Sequence, residues 1–303
     1  MSTGTLSTVL SPDLQQQLAD AGLPPDAVVA VVRATLAEDL SWGPDVTTEA
    51  TIGADQHGEG LLVTRGAGVL AGVGVAASVM QVLAADTGAD VRVHCERADG
   101  DRVTPGDVVL RAEGPVRTLL TGERTMINLI GLMSGVATLT ARWVEAVAGT
   151  GAQVRDTRKT VPGLRVLQKH AVRCGGGVNH RMGLGDAALV KDNHVAAAGG
   201  VRAAYEAVRR YAPDHPVEVE CDTLDQVREA IEAGARLVLL DNMSPAQLAA
   251  AVAVARPRGV RLEASGGLSL DRAAEVAATG VDYLAVGALT HSAPVLDLGF
   301  DLH

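Results

Sequence analysis

In the second half of the chain, short apolar runs alternate with amphipathic stretches, and this alternation predicts repeated strand–helix units. QVRDT (153–157), AALVK (187–191), VEVEC (217–221), RLVLLD (236–241), VRLEAS (260–265) and DYLAVGA (282–288) have the length and residue types of strands. DTLDQVREAIEAG, SPAQLAAAVAVA and SLDRAAEVAATG between them have helical spacing, the last starting at Ser269. The last three strand-to-strand steps are about 20–24 residues, compact βα units that imply a parallel sheet. A long helical stretch beginning at Arg124, RTMINLIGLMSGVATLTARWVEAVAG, precedes them.

The first half is patterned differently. Residues 12–40 read as helix, with Ser11 as cap, Pro12 at the first helical position and a break at Pro24-Pro25. Residues 58–120 read as short strands and turns around one helix near 73–86, with turn signals at Gly100-Asp101 and Gly106-Asp107. Residues 66–85 are uncharged over about the length of a membrane helix. They contain four glycines and no aromatic anchors, so a strand, a Gly turn and a buried helix fit better than a span. The turn–strand rhythm resembles the small β-sandwich of lipoyl and biotinyl carriers. Those present a modified lysine, and no lysine precedes Lys159 here, so a carrier function is disfavoured.

Chemistry is concentrated at the ends of the second-half strands. Arg158 and Lys159, Lys191, Glu220, Asp241, Ser265-Gly266-Gly267 and Gly287 all fall at or past strand C-termini, where βα barrels build their sites. A doubly wound sheet also binds ligands there, so the placement alone does not choose between them. The stretch from Arg155 to His194 holds eight Lys or Arg against three Asp, in a chain of net charge −10. A basic island in an acidic protein suggests a polyanion pocket, not a basic coat. Aromatics are only 2%, which argues against nucleic-acid binding by stacking and leaves the core to Val, Leu and Ala. Cys95, Cys174 and Cys221 are scattered and fit a reduced cytoplasmic protein, and the N-terminus lacks the pattern of a signal peptide.

The motifs TRKT-x-PG-LR, K-x-AV-x-x-GGG, NHR-x-GL-x-D and KDNH closely resemble those of the quinolinate phosphoribosyltransferases. EDLSWGPDVTTEATI, GERTMINLIGLMSG, EASGGL and VGALTHSAP extend the resemblance over nearly the whole chain. It implies an α/β fold: an incomplete, open α/β barrel (126–291) carrying the phosphoribosyl-transfer site. An N-terminal α/β sandwich (1–125) would be completed by 292–303, where LDLGFDLH alternates like a returning strand. It implies transfer of ribose 5-phosphate from phosphoribosyl pyrophosphate (PRPP) to quinolinate with loss of the 2-carboxylate. The products are nicotinate mononucleotide, pyrophosphate and CO2, a step in NAD synthesis.

By the same resemblance, Arg124, Arg158 and Arg181 hold the quinolinate carboxylates, with His180 and Lys191 lining the pocket beside Thr157. Lys159 sits near the reacting ribose carbon and the pyrophosphate, and Lys169 touches a phosphate or the acid pair. Glu220 and Asp241 hold Mg²⁺ with PRPP, no organic cofactor being needed; a salt bridge to a basic neighbour is the competing role. Ser265, Gly266, Gly267, Gly287, Ala288 and Leu289 form a phosphate cradle, with His291 and Ser292 nearby. Glu218 faces the same side as Glu220, deeper in the strand. Arg155, Arg165 and Arg173 read as surface or structural. The family's matching arginine enters the partner subunit, so Arg124 implies a homodimer, with a hexamer of dimers as a further assembly. No nucleic acid or membrane partner is expected. Two other readings stay open: the paralogue associated with molybdenum transport, against which KDNH (191–194) counts, and a non-catalytic metabolite-binding or carrier protein.

Overall fold

The structure, a computed structural model, describes residues 6–303. Their helices and strands run α1 (Pro12–Asp20), α2 (Pro25–Leu40), α3 (Val46–Thr51), β1 (His57–Thr64), β2 (Gly68–Val69), α4 (Val73–Thr87), β3 (Arg92–Cys95), β4 (Arg102–Val103) and β5 (Val108–Pro115). Then follow α5 (Val116–Ala146), β6 (Gln153–Arg155), α6 (Arg165–Cys174), β7 (Ala188–Val190), α7 (Asp192–Ala198), α8 (Val201–Tyr211), β8 (Val217–Cys221), α9 (Leu224–Ala233) and β9 (Leu237–Asp241). The chain continues through α10 (Pro245–Ala255), β10 (Arg261–Ser265), α11 (Ala273–Ala277), β11 (Tyr283–Ala285), α12 (Ala288–His291) and β12 (Leu298–Leu302).

The chain divides into two compact units. One comprises the residues up to Leu139 with 161–176 and 292–303; the other comprises 140–160 and 177–291. The expected boundary after residue 125 therefore moves to 139, and α6 leaves the barrel segment. The physical reason lies in two sets of contacts. The first half of α5 packs on the N-terminal elements: Ser134 Oγ accepts from Ala71 N, and Thr138 Oγ1 accepts from Val69 N. The α6 residue Arg173 donates to the Ala21 carbonyl.

In the first unit, β12, β1, β5 and β3 form an antiparallel sheet in that order. The returning strand predicted at the C-terminus is β12, with Gly60 opposite Leu302 and Thr64 opposite Leu298. Residues 66–85 form β2, a turn at Gly72 (φ 92°) and the buried helix α4. α1 has the expected cap, Ser11 Oγ accepting from Leu14 N. α5 begins at Val116, directly after β5, because Val116 and Leu119 bury in the same core as Met126 and Ile130. Arg124 therefore lies inside the helix instead of starting it. By length and composition α5 could cross a membrane, but 67% of its most apolar window is buried inside the protein. Its apolar character is accounted for by that burial.

In the second unit, six parallel strands take the order β6-β11-β10-β9-β8-β7, an open barrel with β6 and β7 at its edges. Local sequence explains the helix starts: Thr223 with Gln226, and Ser244 with Gln247, form capping boxes on α9 and α10. The helix expected from Ser269 is instead a 3₁₀ turn, Leu270–Arg272, followed by the short α11. The Arg272 N–H reaches back to the Ser269 carbonyl and tightens that turn. The strand at 282–288 shortens to β11 because Gly287 turns the chain into α12.

Two glycines on α5 seat the returning C-terminal segment. A Cβ at Gly135 would lie 2.1 Å from the Pro294 carbonyl oxygen, and one at Gly131 would lie 2.9 Å from Val295. Leu296 N also donates to the Gly131 carbonyl. Alanine at position 135 improves helix propensity by about 1 kcal/mol. Against a backbone oxygen that cannot step aside, the clash outweighs it, and Gly135→Ala is expected to destabilise by about 1–3 kcal/mol. Urea unfolding measures the sign directly; a stabilised variant contradicts the close packing.

Candidate active site

The period-two geometry of strands decides which side chains enter the barrel. On β7 and just past it these are Leu189 and Lys191; on β8, Glu218 and Glu220; on β9, Leu239 and Asp241. β10 contributes Glu263 and Ser265, and β11 contributes Ala285. Except for Glu218, all of these line one cavity of about 410 Å³, with Thr157, Arg158, Lys159, His180 and Arg181 completing it. Glu218 lies deeper, as expected, at 3% exposure. Most of the lining is charged, and Leu189, Leu239 and Ala285 give the cavity an apolar side.

The cations are not equivalent. Lys191 Nζ lies 3.0 Å from Glu220 Oε2, so the competing salt-bridge role is realised in this structure. Asp241 Oδ2 accepts from Asn242 Nδ2 at 2.7 Å. Lys159 is fixed through its backbone: its N–H donates to Thr157 Oγ1 and its carbonyl accepts from Thr290 Oγ1. The Arg181 guanidinium donates to the Ala187 carbonyl. Burial, and next the cation of Arg158, pull Arg181 below the usual guanidinium value. The Arg158 Nε–H is buried without an acceptor. Two mutually repelling guanidiniums, one with an unsatisfied donor, suit a bound anion.

Beneath them lies a buried charge network. His180 Nε2 is 2.7 Å from Glu218 Oε2 and 3.5 Å from Glu263 Oε1. Its Nδ1 accepts from the Arg181 N–H at 2.7 Å, which puts the ring proton on Nε2, facing the glutamates. Asp156, fully buried, accepts from His180 N and Asn179 Nδ2 and so fixes the NHR turn. Arg155 Nη1 pairs with Glu263 Oε2 at 2.5 Å, and its guanidinium stacks 4.5 Å over Tyr283. Arg155 is thus structural. Burial, and next the charge of Glu218, push Glu263 up to about 7.

The remaining predicted residues divide. Gly266 and Gly267 line an adjacent cavity of about 290 Å³ with Asn242, Ser244, Ser269 and Arg272, while Ser265 faces the main one. Gly287 is needed for close approach: a Cβ there would meet Lys159 Cδ at 3.1 Å and His291 Nε2 at 3.2 Å. Ala288 and Leu289 open α12, and the Leu289 side chain is fully buried, so only its backbone is left for a ligand. All thirteen residues lining the main cavity belong to the second unit. Arg124 and Lys169 do not line it: Arg124 is exposed on α5 and Lys169 is fully buried in α6. Glu263, Asp156 and Asn242 join the residues expected from the sequence. Glu263 precedes Ser265 by two, the signal that identified Glu218. Asn242 holds φ 53°, a conformation Asn tolerates, and its N–H donates to the Ser265 carbonyl.

Residues 45–134 match the model of "Quinolinate phosphoribosyl transferase, N-terminal domain", and residues 136–301 match that of the C-terminal domain. The chain belongs to the quinolinate phosphoribosyl transferase family. A relative from Mycobacterium leprae named nicotinate-nucleotide pyrophosphorylase (carboxylating) is 53% identical, over 91% of this chain and 98% of its own. The human protein of that name is 38% identical, over 92% and 93%. The solved nicotinate-nucleotide pyrophosphorylase of Francisella tularensis superposes with a TM-score of 0.87 at 38% identity, covering 93% of this chain and 98% of that one.

The Glu263 carboxyl binds its proton more tightly in the folded quinolinate phosphoribosyl transferase chain than the ordinary 4.5 of a free glutamate. Its contribution to stability is therefore full below about pH 4.5 and lost as pH rises through about 7. Glu263→Gln removes this titration. The urea midpoint of the variant should fall less than that of the parent between about pH 5 and pH 8; an equal fall would place the titration elsewhere.

Proposed function

We propose that the chain transfers phosphoribosyl from PRPP to quinolinate with decarboxylation, giving nicotinate mononucleotide, pyrophosphate and CO2 in the de novo synthesis of NAD. The observation that carries this is the pair Arg158 and Arg181, held against mutual repulsion in one cavity with a buried Arg158 donor unsatisfied. A dicarboxylate supplies negative charge to both guanidiniums. The apolar side formed by Leu189, Leu239 and Ala285 suits the face of a pyridine ring.

The reaction requires no side-chain nucleophile. The ring nitrogen attacks the anomeric carbon as pyrophosphate departs, and the chain contributes orientation and charge. Lys159, held by Thr157 and Thr290, offers its ammonium to the developing charge on pyrophosphate. The quaternised ring nitrogen then stabilises carbanion character at the neighbouring carbon as CO2 leaves, and a proton from solvent takes the vacated position. His180, with its proton fixed toward the glutamates, supports the turn that carries Arg181. Glu220 and Asp241 end adjacent strands in the same cavity as hard oxygen donors, a set that fits Mg²⁺. Magnesium, when bound with PRPP, would neutralise charge on the departing pyrophosphate. Lys191 holds Glu220 in register for that role. The phosphate end of the ribose faces the Ser265-Gly266-Gly267 and Gly287-Ala288-Leu289 backbones. The three unpaired cysteines accord with a reducing, cytoplasmic setting.

Purified protein with quinolinate, PRPP and Mg²⁺ should release CO2 in a quinolinate-dependent manner. Nicotinate, lacking one carboxylate, should lower kcat/KM by about 100-fold or more. Equal turnover of the two acids would overturn the assignment of the arginines. No turnover with either would favour the molybdenum-associated paralogue or a binding protein.

The exposed Arg124 on α5 is proposed to complete the site of a partner subunit in a homodimer, with hexamers as a further assembly. Arg124→Ala and Lys191→Ala subunits, each inactive alone, should regain activity when mixed dimers form, because each such dimer holds one intact site. Mixed dimers without activity would refute the shared site.

A further inference from the structure

A second cluster of metal-binding side chains lies in the first unit, outside the residues assigned to catalysis. His170 and Cys174 are four apart on α6 and so share one helix face. Asp99 reaches them from the turn between β3 and β4. One of its oxygens, Oδ1, accepts from Val73 N at the start of α4, and the other, Oδ2, is 2.6 Å from His170 Nε2. Cys174 Sγ is 3.2 Å from the same nitrogen. One donor atom from each residue lies within 4.8 Å of the other two.

We propose that Asp99, His170 and Cys174 form a zinc site that fastens α6 to the Asp99 turn. Tetrahedral zinc with ligands at about 2.0–2.3 Å sets ligand atoms about 3.3–3.8 Å apart. The histidine–cysteine spacing is already close to that value. The histidine–aspartate spacing has to open by about 1 Å, which rotation of a carboxylate held by only one of its oxygens allows. The second ring nitrogen, Nδ1, is 3.2 Å from the Ala21 carbonyl. Donation of Nδ1–H to that oxygen leaves the Nε2 lone pair for the metal, the outer-shell arrangement usual for histidine ligands. Arg173 Nη2 donates to the same carbonyl and lies 3.3 Å from Nδ1, so without metal the ring proton sits on Nε2 toward Asp99, and zinc binding would move it to Nδ1. One thiolate and one carboxylate balance the charge of a divalent ion.

The donor set selects the metal. Thiolate with imidazole and a single carboxylate suits zinc and disfavours magnesium, which takes oxygen ligands. This site is therefore chemically separate from the Glu220–Asp241 pair. The fourth position is open to water. His170 is buried, while Asp99 and Cys174 are half-buried, which gives an ion a route in. Zinc binding would release the Cys174 thiol proton.

The full-length protein is equilibrated with zinc, dialysed against metal-free buffer and measured by inductively coupled plasma mass spectrometry. The parent should retain about one zinc per chain. Cys174→Ser and His170→Ala should lose it, and Glu220→Gln should keep it. Cobalt substituted into the parent should show a thiolate-to-cobalt band in the near ultraviolet, a readout that needs no variant. Absence of zinc from the parent overturns the proposal. So does retention by Cys174→Ser, loss in Glu220→Gln, or a cobalt spectrum without the thiolate band.

Discussion

Glu218 and Glu263 are buried within reach of the same imidazole, and the charge they place beneath the cavity governs the groups above it. Two bare carboxylates could not be held there, since each would lose its hydration without return. Arg155 pairs with one, His180 with the other, and Glu263 retains a proton up to near neutral pH. Because His180 Nδ1 is occupied by the next backbone N–H, its ring cannot turn away from the glutamates without breaking two hydrogen bonds. The turn carrying Arg181 is therefore held in place. The repulsion that Arg181 feels from Arg158 is offset first by the charge of Asp186 and then by that of Glu218.

Much of the second unit was legible in the sequence for a simple reason. A strand shows alternate residues to one side, so a charged residue at a strand's end, two places from another inward position, marks the mouth of the barrel. Lys191, Glu220, Asp241 and Ser265 are all found this way, and their shared cavity follows from parallel register. Helix starts at α9 and α10 are likewise local, with Thr223 and Ser244 each preceding a glutamine by three. The family motifs added the roles that alternation cannot assign.

Less legible was anything decided by contacts between distant segments. α6 lies in sequence between β6 and β7 and reads as a barrel helix. Its His170, however, meets Asp99 from 71 residues earlier, a pairing that no local pattern announces. The start of α5 was obscured because VRTLLTGE carries no strong cap, and the helix grows straight from β5. Glu263 was visible as part of a motif, but its proton depends on how deeply it is buried and on Glu218 beside it, both properties of the folded state. The αL turn at Asn242 likewise arises from the close approach of Gly266, where a Cβ would lie 2.2 Å from the Asn242 side chain.

The pairing of β1 with β12 joins residues about 240 positions apart, from Gly60 to Leu302. During synthesis, β1 and β5 emerge long before that partner does, and all of the second unit is made in between. An edge of unpaired N–H and C=O groups on β1 must therefore wait in solution, open to pairing with another chain. The glycine seat on α5 is complete by residue 135, ready to receive 294–296 as soon as they appear. The vulnerable period in the life of this protein is thus a kinetic one, set by the order in which its segments leave the ribosome, and it ends when the last strand closes over the first.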